Sequence, residues 1–465
     1  MNPRVPPPRT LWHRSDRFVP RRIVAPALRF MAAATAGGVA MLVAAIVALV
    51  WANSPWHGGY EALWDTHLAV SLGELIELDH LTLRNWVNDG AMAVFFLLVG
   101  LEIKRELVLG ELRDPRAAAL PALAALGGMV LPATIYALLN AGQPGADGWG
   151  IPVATDIAFA VGVVTLVGSR LPLGARIFIL TLAVVDDIGG ILVIAVFYAS
   201  DVSVGWLGVA AAAIAATLVV RRLEIQSFAP YVFLGGLTWL AFHEAGVEAA
   251  IAGVIFGLLT PTRPFHDPAG FAPNARALVD RIDATRADGH ISPEERDENE
   301  VRLEDLSRYA LLSVSPLERL EHRLGPWVAF LIVPLFALAN AGVRIGEGDI
   351  DSRVVLGVGL GLVLGKTIGV FSFTVLAVRL GLGRLPAGTR WSHIFGLGVT
   401  AGIGFTVALY IAGLSFDDAD LTSSAKLGVL SASVVAGVLG YLVLRASPRA
   451  QHSPAEEPLV GASSP

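Results

Sequence analysis

Four ionisable side chains lie within long apolar stretches of the 465-residue sequence: Asp156, Asp186, Asp187 and Lys366. Each would cost about 2.5–3.5 kcal/mol at the centre of a membrane helix on insertion scales, so such side chains indicate a functional site. One base cannot neutralise three acids, and an unpaired buried carboxylate takes up a proton instead. Carboxylates balanced between a proton and a metal cation suit proton-coupled cation transport. We expect that role rather than an ion pair that only ties helices together.

The spacing of these residues limits how they can meet. Asp186 and Asp187 are consecutive, so on a helix they point about 100° apart. We therefore expect one of them to reach Lys366 and the other to face a water-filled cavity. Lys366 is one of three lysines beside 31 arginines, which indicates that a compact, titratable ammonium matters there. The alternative is that lysine fits where arginine would not.

Two short apolar segments carry helix-breaking residues beside polar ones. The first contains Pro152, Thr155 and Asp156, and the second contains Gly402, Gly404 and Thr406. Proline and glycine favour unwound backbone, whose free N–H and C=O groups need polar partners inside a membrane. Interrupted spans at corresponding positions of two halves indicate the binding site of a transporter.

The stretches that must position these residues number about twelve, judged by length and apolarity, with eleven or thirteen as alternatives. They are 30–51, 87–107, 117–140, 152–168, 174–199, 203–220, 228–243, 246–261, 325–344, 354–380, 391–414 and 425–444. Spans 3–5 and 10–12 then form two repeats. Because they are offset by seven spans, an odd number, the repeats have inverted topology.

The distribution of positive charge predicts the orientation. Outside the segment 262–324, twenty Lys and Arg side chains lie on one side of the spans and four on the other. Positive side chains concentrate in the cytoplasm, so we expect both termini there. The predicted parts are a cytoplasmic tail (1–29), transmembrane helices 1–8 (30–261), a charged cytoplasmic insertion (262–324), transmembrane helices 9–12 (325–445) and a disordered cytoplasmic tail (446–465).

Composition excludes several classes of protein. Apolar residues make up 54% and charged residues 16%, where soluble domains carry roughly 25% charged residues. The net charge of −6 excludes a nucleic-acid binder, and the absence of cysteine excludes a thiolate metal site. The stretch 288–295 imitates half of a calcium-binding loop, but Ala284 and Arg286 stand where two carboxylates belong.

Five motifs, in this order and spacing, resemble the NhaA family of bacterial Na⁺/H⁺ antiporters over about residues 30–445. They are Asn88–Leu107, Val153–Phe159, Val185–Gly189, Gly365–Lys366 and Gly402–Thr406. The resemblance implies an all-α polytopic membrane protein with twelve transmembrane helices, in two inverted repeats with crossed broken helices. It also implies a transporter rather than an enzyme, without a resident cofactor, in the bacterial inner membrane. Its substrates would be Na⁺ or Li⁺ and two protons per cation, exchanged electrogenically, with cytoplasmic pH regulated as a result.

The resemblance also implies roles for individual residues. Asp187 would be the main ligand of the transported Na⁺ and the proton carrier, with Asp186 beside it and paired with Lys366 in the empty state. Asp156 and Thr155 would balance the dipoles of the half-helices. Five residues would serve pH sensing and cation entry: Glu102, Arg105, Glu106, Glu321 and His322.

The long loop after the first span, predicted to face outside, carries two further predictions. Loose apolar alternation predicts a β-hairpin within 60–84, and the family commonly forms homodimers, for which the loop 52–86 is the expected contact.

A cation-selective uniporter or channel could use the same buried carboxylates and stays an alternative. An intramembrane aspartyl protease is disfavoured, because Asp156 and Asp187 lack the Tyr-Asp and Gly-x-Gly-Asp contexts that it needs.

Overall fold

The computed structural model of the chain describes residues 36–72, 76–78, 81–199, 202–266, 268–284, 293–346 and 348–448. The predicted tail 1–29, nearly all of the tail 446–465 and residues 288–292 of the calcium-loop-like stretch 288–295 lie outside these residues.

Helices account for most of the described chain. They are α1 (Ala36–Ala52), α2 (His57–Trp64), α3 (Met92–Val108), α4 (Pro115–Asn140), α5 (Ile157–Val167), α6 (Leu173–Phe197), α7 (Val204–Arg222), α8 (Ala229–Glu244), α9 (Ile251–Leu259), α10 (Pro268–Ala284), α11 (Pro293–Leu312), α12 (Pro316–Asn340), α13 (Ser352–Arg379), α14 (Trp391–Ala401), α15 (Phe405–Ser415) and α16 (Ala419–Ala446). Short helical segments are Leu83–Asn85, Glu111–Arg113, Pro144–Val153 and Gly168–Arg170, and π-helical turns lie at Trp86–Ala91, Val328–Ile332 and Gly361–Gly365.

Two short strands lie in the loop that is predicted to face outside, where the sequence also predicts a hairpin. Strands β1 (Val70–Leu72) and β2 (Ile76–Leu78) pair antiparallel, with Ser71 opposite Glu77.

The apolar helices are those of a polytopic membrane protein. Among the described residues, six helices are long and apolar enough to cross a bilayer, and three bent pairs raise the number to nine. Two of these pairs are Pro144–Val153 with Ile157–Arg170, bent by 45°, and α14 with α15, bent by 43°. Helices α3, α8 and α9 coincide with three further predicted spans but have only 17, 16 and 9 residues. The number of twelve spans stays a prediction.

Two helices begin earlier than the predicted spans. Helix α12 begins at Pro316, where the hydroxyl of Ser315 accepts a hydrogen bond from the backbone N–H of Glu318 at 3.2 Å. Helix α16 begins at Ala419, capped by Asp418. The first turns of both helices carry charged residues, so a search for apolar stretches places their starts too late.

The chain folds as two compact units. The first contains the described residues of 1–84, 119–190 and 329–465. Its core joins helices α4, α5, α6, α13, α14 and α16 through fully buried small and large residues, among them Ala124, Ala175, Phe178 and Leu397. Lipid tails are as apolar as the helices, so there is no hydrophobic driving force for helix association. Van der Waals packing between closely spaced small residues stabilises the contacts instead. Large apolar side chains such as Leu138, 75% exposed, lie on the outer surface.

The second unit contains the described residues of 85–118 and 191–328. Glycines let helices α3 and α9 touch: a Cβ on Gly100 would lie 2.6 Å from the carbonyl oxygen of Val254, and one on Gly257 would lie 2.6 Å from that of Leu97. Helices α10 and α11 occupy most of the predicted cytoplasmic insertion. The ring of Tyr309 in α11 stacks on His266, with centroids 4.7 Å apart.

Candidate cation-binding site

The candidate site lies in the first unit, where the two interrupted segments meet. One helical segment ends at Val153 and α5 begins at Ile157, while α14 ends at Ala401 and α15 begins at Phe405. Between these ends the two backbones bind each other, because the N–H of Asp156 donates to the carbonyl oxygen of Ile403 at 2.6 Å. The predicted breaks therefore form one polar crossing inside the apolar core.

Two glycines are required at the second break. A Cβ on Gly402 would lie 2.5 Å from the carbonyl oxygen of Leu362, and one on Gly404 would lie 2.9 Å from Cδ2 of the same leucine. A side chain at residue 402 would thus clash with the backbone of α13, and one at residue 404 would displace the side chain of Leu362. At the first break Pro152 packs closely on α13, where a Cβ on Gly361 would lie 2.9 Å from its Cβ.

Asp156 joins the N-termini of two half-helices. Its Oδ1 accepts from the N–H of Phe159 in α5 at 3.2 Å, and its Oδ2 accepts from the N–H and hydroxyl of Thr406 in α15 at 3.0 and 2.5 Å. The N-terminus of a helix carries partial positive charge and unpaired N–H groups, both of which favour a carboxylate. One buried side chain, 4% exposed, thus satisfies both ends.

Asp186 and Lys366 form a fully buried ion pair. Nζ of Lys366 contacts Oδ2 of Asp186, and it also donates to the carbonyl oxygen of Val153 at 2.5 Å. Both side chains are 0% exposed. The ammonium therefore neutralises a carboxylate and the negative C-terminal end of a half-helix together. Of the two consecutive acids, Asp186 is the one that reaches the lysine.

Thr155 connects this ion pair to the second break. Its Oγ1 lies 2.5 Å from Oδ2 of Asp186 and 2.8 Å from the carbonyl oxygen of Ala401. A hydroxyl has one proton, so it can donate fully to only one of these acceptors at a time. An ionised Asp186 attracts that proton, whereas a protonated Asp186 can donate to Oγ1 and release the threonine proton to Ala401. The protonation state of Asp186 thus determines whether the Thr155 hydroxyl donates to Ala401 at the end of α14.

Asp187 is the neighbouring acid on α6. It is 6% exposed and close enough to act electrostatically on Lys366. Meanwhile Oδ1 of Asp186 is buried and has no hydrogen-bond partner among the described residues. Two carboxylates and a hydroxyl are the oxygen ligands that a hard cation prefers.

The residues predicted for pH sensing and cation entry lie in the second unit. Nη1 of Arg105 lies 3.4 Å from Oε2 of Glu321, and its Nη2 lies 4.0 Å from Oε1 of Glu106. Glu102 is half-buried on the same helix, and His322 is exposed. All five residues thus lie on helices α3 and α12, which the Arg105–Glu321 pair connects.

The sequence does not reveal several parts of the site. The carbonyls of Val153, Ala401 and Ile403 are backbone acceptors, which no side-chain pattern marks. Met41 on α1 is another such part, its Sδ lying 3.1 Å from Oγ1 of Thr406. A further buried cation, Lys426 on α16, is only 8% exposed. The predicted last span begins at residue 425 and places this lysine at its outer end, whereas it lies in the interior of helix α16.

Known proteins are similar in sequence to this chain over nearly its whole length. The pattern of the family described as Na⁺/H⁺ antiporter 1 matches residues 28–444. The Na⁺/H⁺ antiporter NhaA 2 of Myxococcus xanthus is 46% identical over 91% of this chain and 90% of its own. NhaA 2 of Sorangium cellulosum is 44% identical over 92% of each chain, and NhaA of Rhodopirellula baltica is 43% identical over 91% of this chain and 94% of its own. This chain is therefore a bacterial multi-pass membrane protein of the NhaA family of Na⁺/H⁺ antiporters.

Proposed function

We propose that the protein is a secondary active antiporter that extrudes Na⁺ or Li⁺ from the bacterial cytoplasm in exchange for protons. The observation that carries the proposal is the state of Asp186. One of its oxygens is held by Lys366 and Thr155, while the other has no hydrogen-bond partner among the described residues. An ammonium that holds a buried carboxylate is a cation that Na⁺ must displace.

The proposed mechanism is competition for the two neighbouring acids. Na⁺ is bound by Asp187 and Asp186 once Lys366 has released the latter, and protons occupy the same groups in the absence of Na⁺. Ligands must lose their protons to bind a metal ion, so binding of Na⁺ releases protons. Exchange of two protons for one Na⁺ moves one net charge per cycle, which makes the exchange electrogenic.

The helix crossing supplies the frame for this exchange. Asp156 binds both half-helix N-termini, and Lys366 binds the opposing end at Val153, so the backbone breaks stay satisfied within the membrane. We propose that the breaks allow the site to open alternately to either face. Thr155 would then transmit the protonation of Asp186 to the end of α14.

Regulation and placement are further parts of the proposal. The Arg105–Glu321 pair, with Glu102, Glu106 and His322, would sense cytoplasmic pH and guide cations inwards, so that the exchange regulates that pH. Both termini would face the cytoplasm from the inner membrane. Lipid and a second copy of the chain, bound through the loop 52–86, would be its partners.

Na⁺-driven proton movement in everted membrane vesicles tests the function. Wild-type protein should dissipate a pH gradient when Na⁺ or Li⁺ is added, and Asp187→Asn should abolish the response while the protein remains inserted and folded. Asp349→Asn, which neutralises an exposed loop carboxylate, is the matched control and should respond as wild type. Normal activity of Asp187→Asn would refute the assignment. Na⁺ uptake without proton counter-flow would favour the channel.

A further inference from the structure

Three glycines lie on one face of α13, immediately around Lys366. Gly361, Gly365 and Gly369 follow each other at intervals of four residues, which places them in a row along the helix. A Cβ on Gly365 would lie 2.8 Å from Cα of Pro132 in α4, and one on Gly369 would lie 2.6 Å from the carbonyl carbon of Gly127. The backbones of α13 and α4 are therefore in direct contact on both sides of the lysine.

Gly128 of α4 lies against the lysine itself. A Cβ at this position would lie 2.9 Å from Cγ2 of Val370, 3.6 Å from Cδ of Lys366 and 4.0 Å from its Nζ. The first distance is a clash that Val370 or α13 must relieve by moving, while the second and third are ordinary contacts. A single methyl group at residue 128 would thus press on the residue one turn after the lysine and fill the space along its stem.

The helical turn that precedes Lys366 affects the direction in which its side chain projects, and a steric contact at this turn would change that direction. The π-helical turn Gly361–Gly365 ends directly before Lys366. A π-helical turn closes its hydrogen bonds over one more residue than an α-helical turn, so it changes the angle at which the following residues project. Such a turn within a close glycine contact orients Lys366 towards Asp186 and the carbonyl oxygen of Val153.

We propose that Gly128 is a positioning residue for Lys366, and that the absence of a side chain there sets how strongly the lysine competes with Na⁺ for Asp186. This inference rests on the proposed antiport. A methyl group at residue 128 weakens the contact between Nζ and Asp186, and Na⁺ then displaces the lysine more easily. The apparent KM for Na⁺ falls.

Kinetics of Gly128→Ala in proteoliposomes test the inference. The KM for Na⁺ should fall roughly three- to tenfold, as expected for partial loss of one charge-assisted hydrogen bond. Gly359→Ala is the matched control, because it adds a methyl group to α13 itself where nothing lies within 4 Å. It should keep the wild-type KM.

A second variant separates positioning from general damage. Val370→Ala removes the atom that the new methyl group meets, so Gly128→Ala with Val370→Ala should fold and return the KM towards wild type. A Gly128→Ala protein with unchanged KM, whether its maximal rate falls or not, would overturn the inference. So would a double variant that stays as shifted as the single one. Absence of Na⁺-driven flux in wild type would instead refute the proposed function.

Discussion

Replacement of Asp156 by alanine removes one carboxylate that joins two half-helices. Three donors lose their partner: the N–H of Phe159, the N–H of Thr406 and the hydroxyl of Thr406. A buried donor left without a partner costs about 1–3 kcal/mol, and neighbouring losses do not add fully. We therefore expect Asp156→Ala to lower the free energy of unfolding by about 3–6 kcal/mol.

An exposed helix cap in the same chain provides the matched control. Oδ1 of Asp418 accepts from the backbone N–H groups of Asp420 and Leu421 at 2.7 and 3.2 Å, at the start of α16. Water can replace this carboxylate, so Asp418→Ala should lose only about 1 kcal/mol, as is typical for a lost N-cap. Asp156→Asn, which keeps one oxygen acceptor but not the charge, should lie between the two alanine variants.

Equilibrium unfolding in mixed detergent and denaturant, followed by helical circular dichroism, measures these differences. The comparison is between variants of one protein under one condition, so a common error in the reference state cancels. If Asp156→Ala is destabilised no more than Asp418→Ala, then the carboxylate does not hold the crossing together, and the assignment of Asp156 as a double cap is wrong.

Three further changes test separate parts of the structure. Lys366→Ala should alter the pH dependence of Na⁺-driven proton flux in vesicles, since the cation that competes for Asp186 is gone; an unchanged profile would reduce the lysine to a structural role. Thr155→Val should raise the KM for Na⁺ about tenfold, the effect of roughly 1.4 kcal/mol, and Thr155→Ser should restore it; equal values for both variants would exclude the hydroxyl. Glu224→Gly should raise the free energy of unfolding by about 1 kcal/mol, because Glu224 has a φ of 54° after the end of α7; a loss of stability in the same unfolding assay would contradict this.

The positions of the interrupted helices follow from the sequence, but their pairing does not. Proline and glycine restrict the backbone locally, so Pro152, Gly402 and Gly404 predict the breaks that the structure has after Val153 and Ala401. Which acceptor each free N–H finds is decided by packing. No local pattern announces that Asp156 donates to Ile403 or that its side chain reaches α15.

The charged residues of the site can be predicted from the sequence, but their contacts cannot. Burial of a charge is costly wherever it occurs, so Asp186, Asp187 and Lys366 stand out in apolar sequence. Consecutive residues differ by a known angle, but the rotation of the whole helix about its axis depends on its neighbours. Only the packing of α6 and α13 decides that Asp186 contacts the lysine. Gly128, where a Cβ would lie 3.6 Å from Cδ of Lys366, carries no signal at all in a glycine-rich chain.

Proton release on Na⁺ binding tests the central claim most directly. Purified protein in weakly buffered detergent solution is mixed with NaCl, and the pH change is read together with bound Na⁺. Competition at shared carboxylates predicts the release of up to about two protons for each Na⁺ bound, at pH values where the acids are still protonated, and no release from Asp187→Asn. Full binding of Na⁺ without any proton release at those pH values would contradict the account.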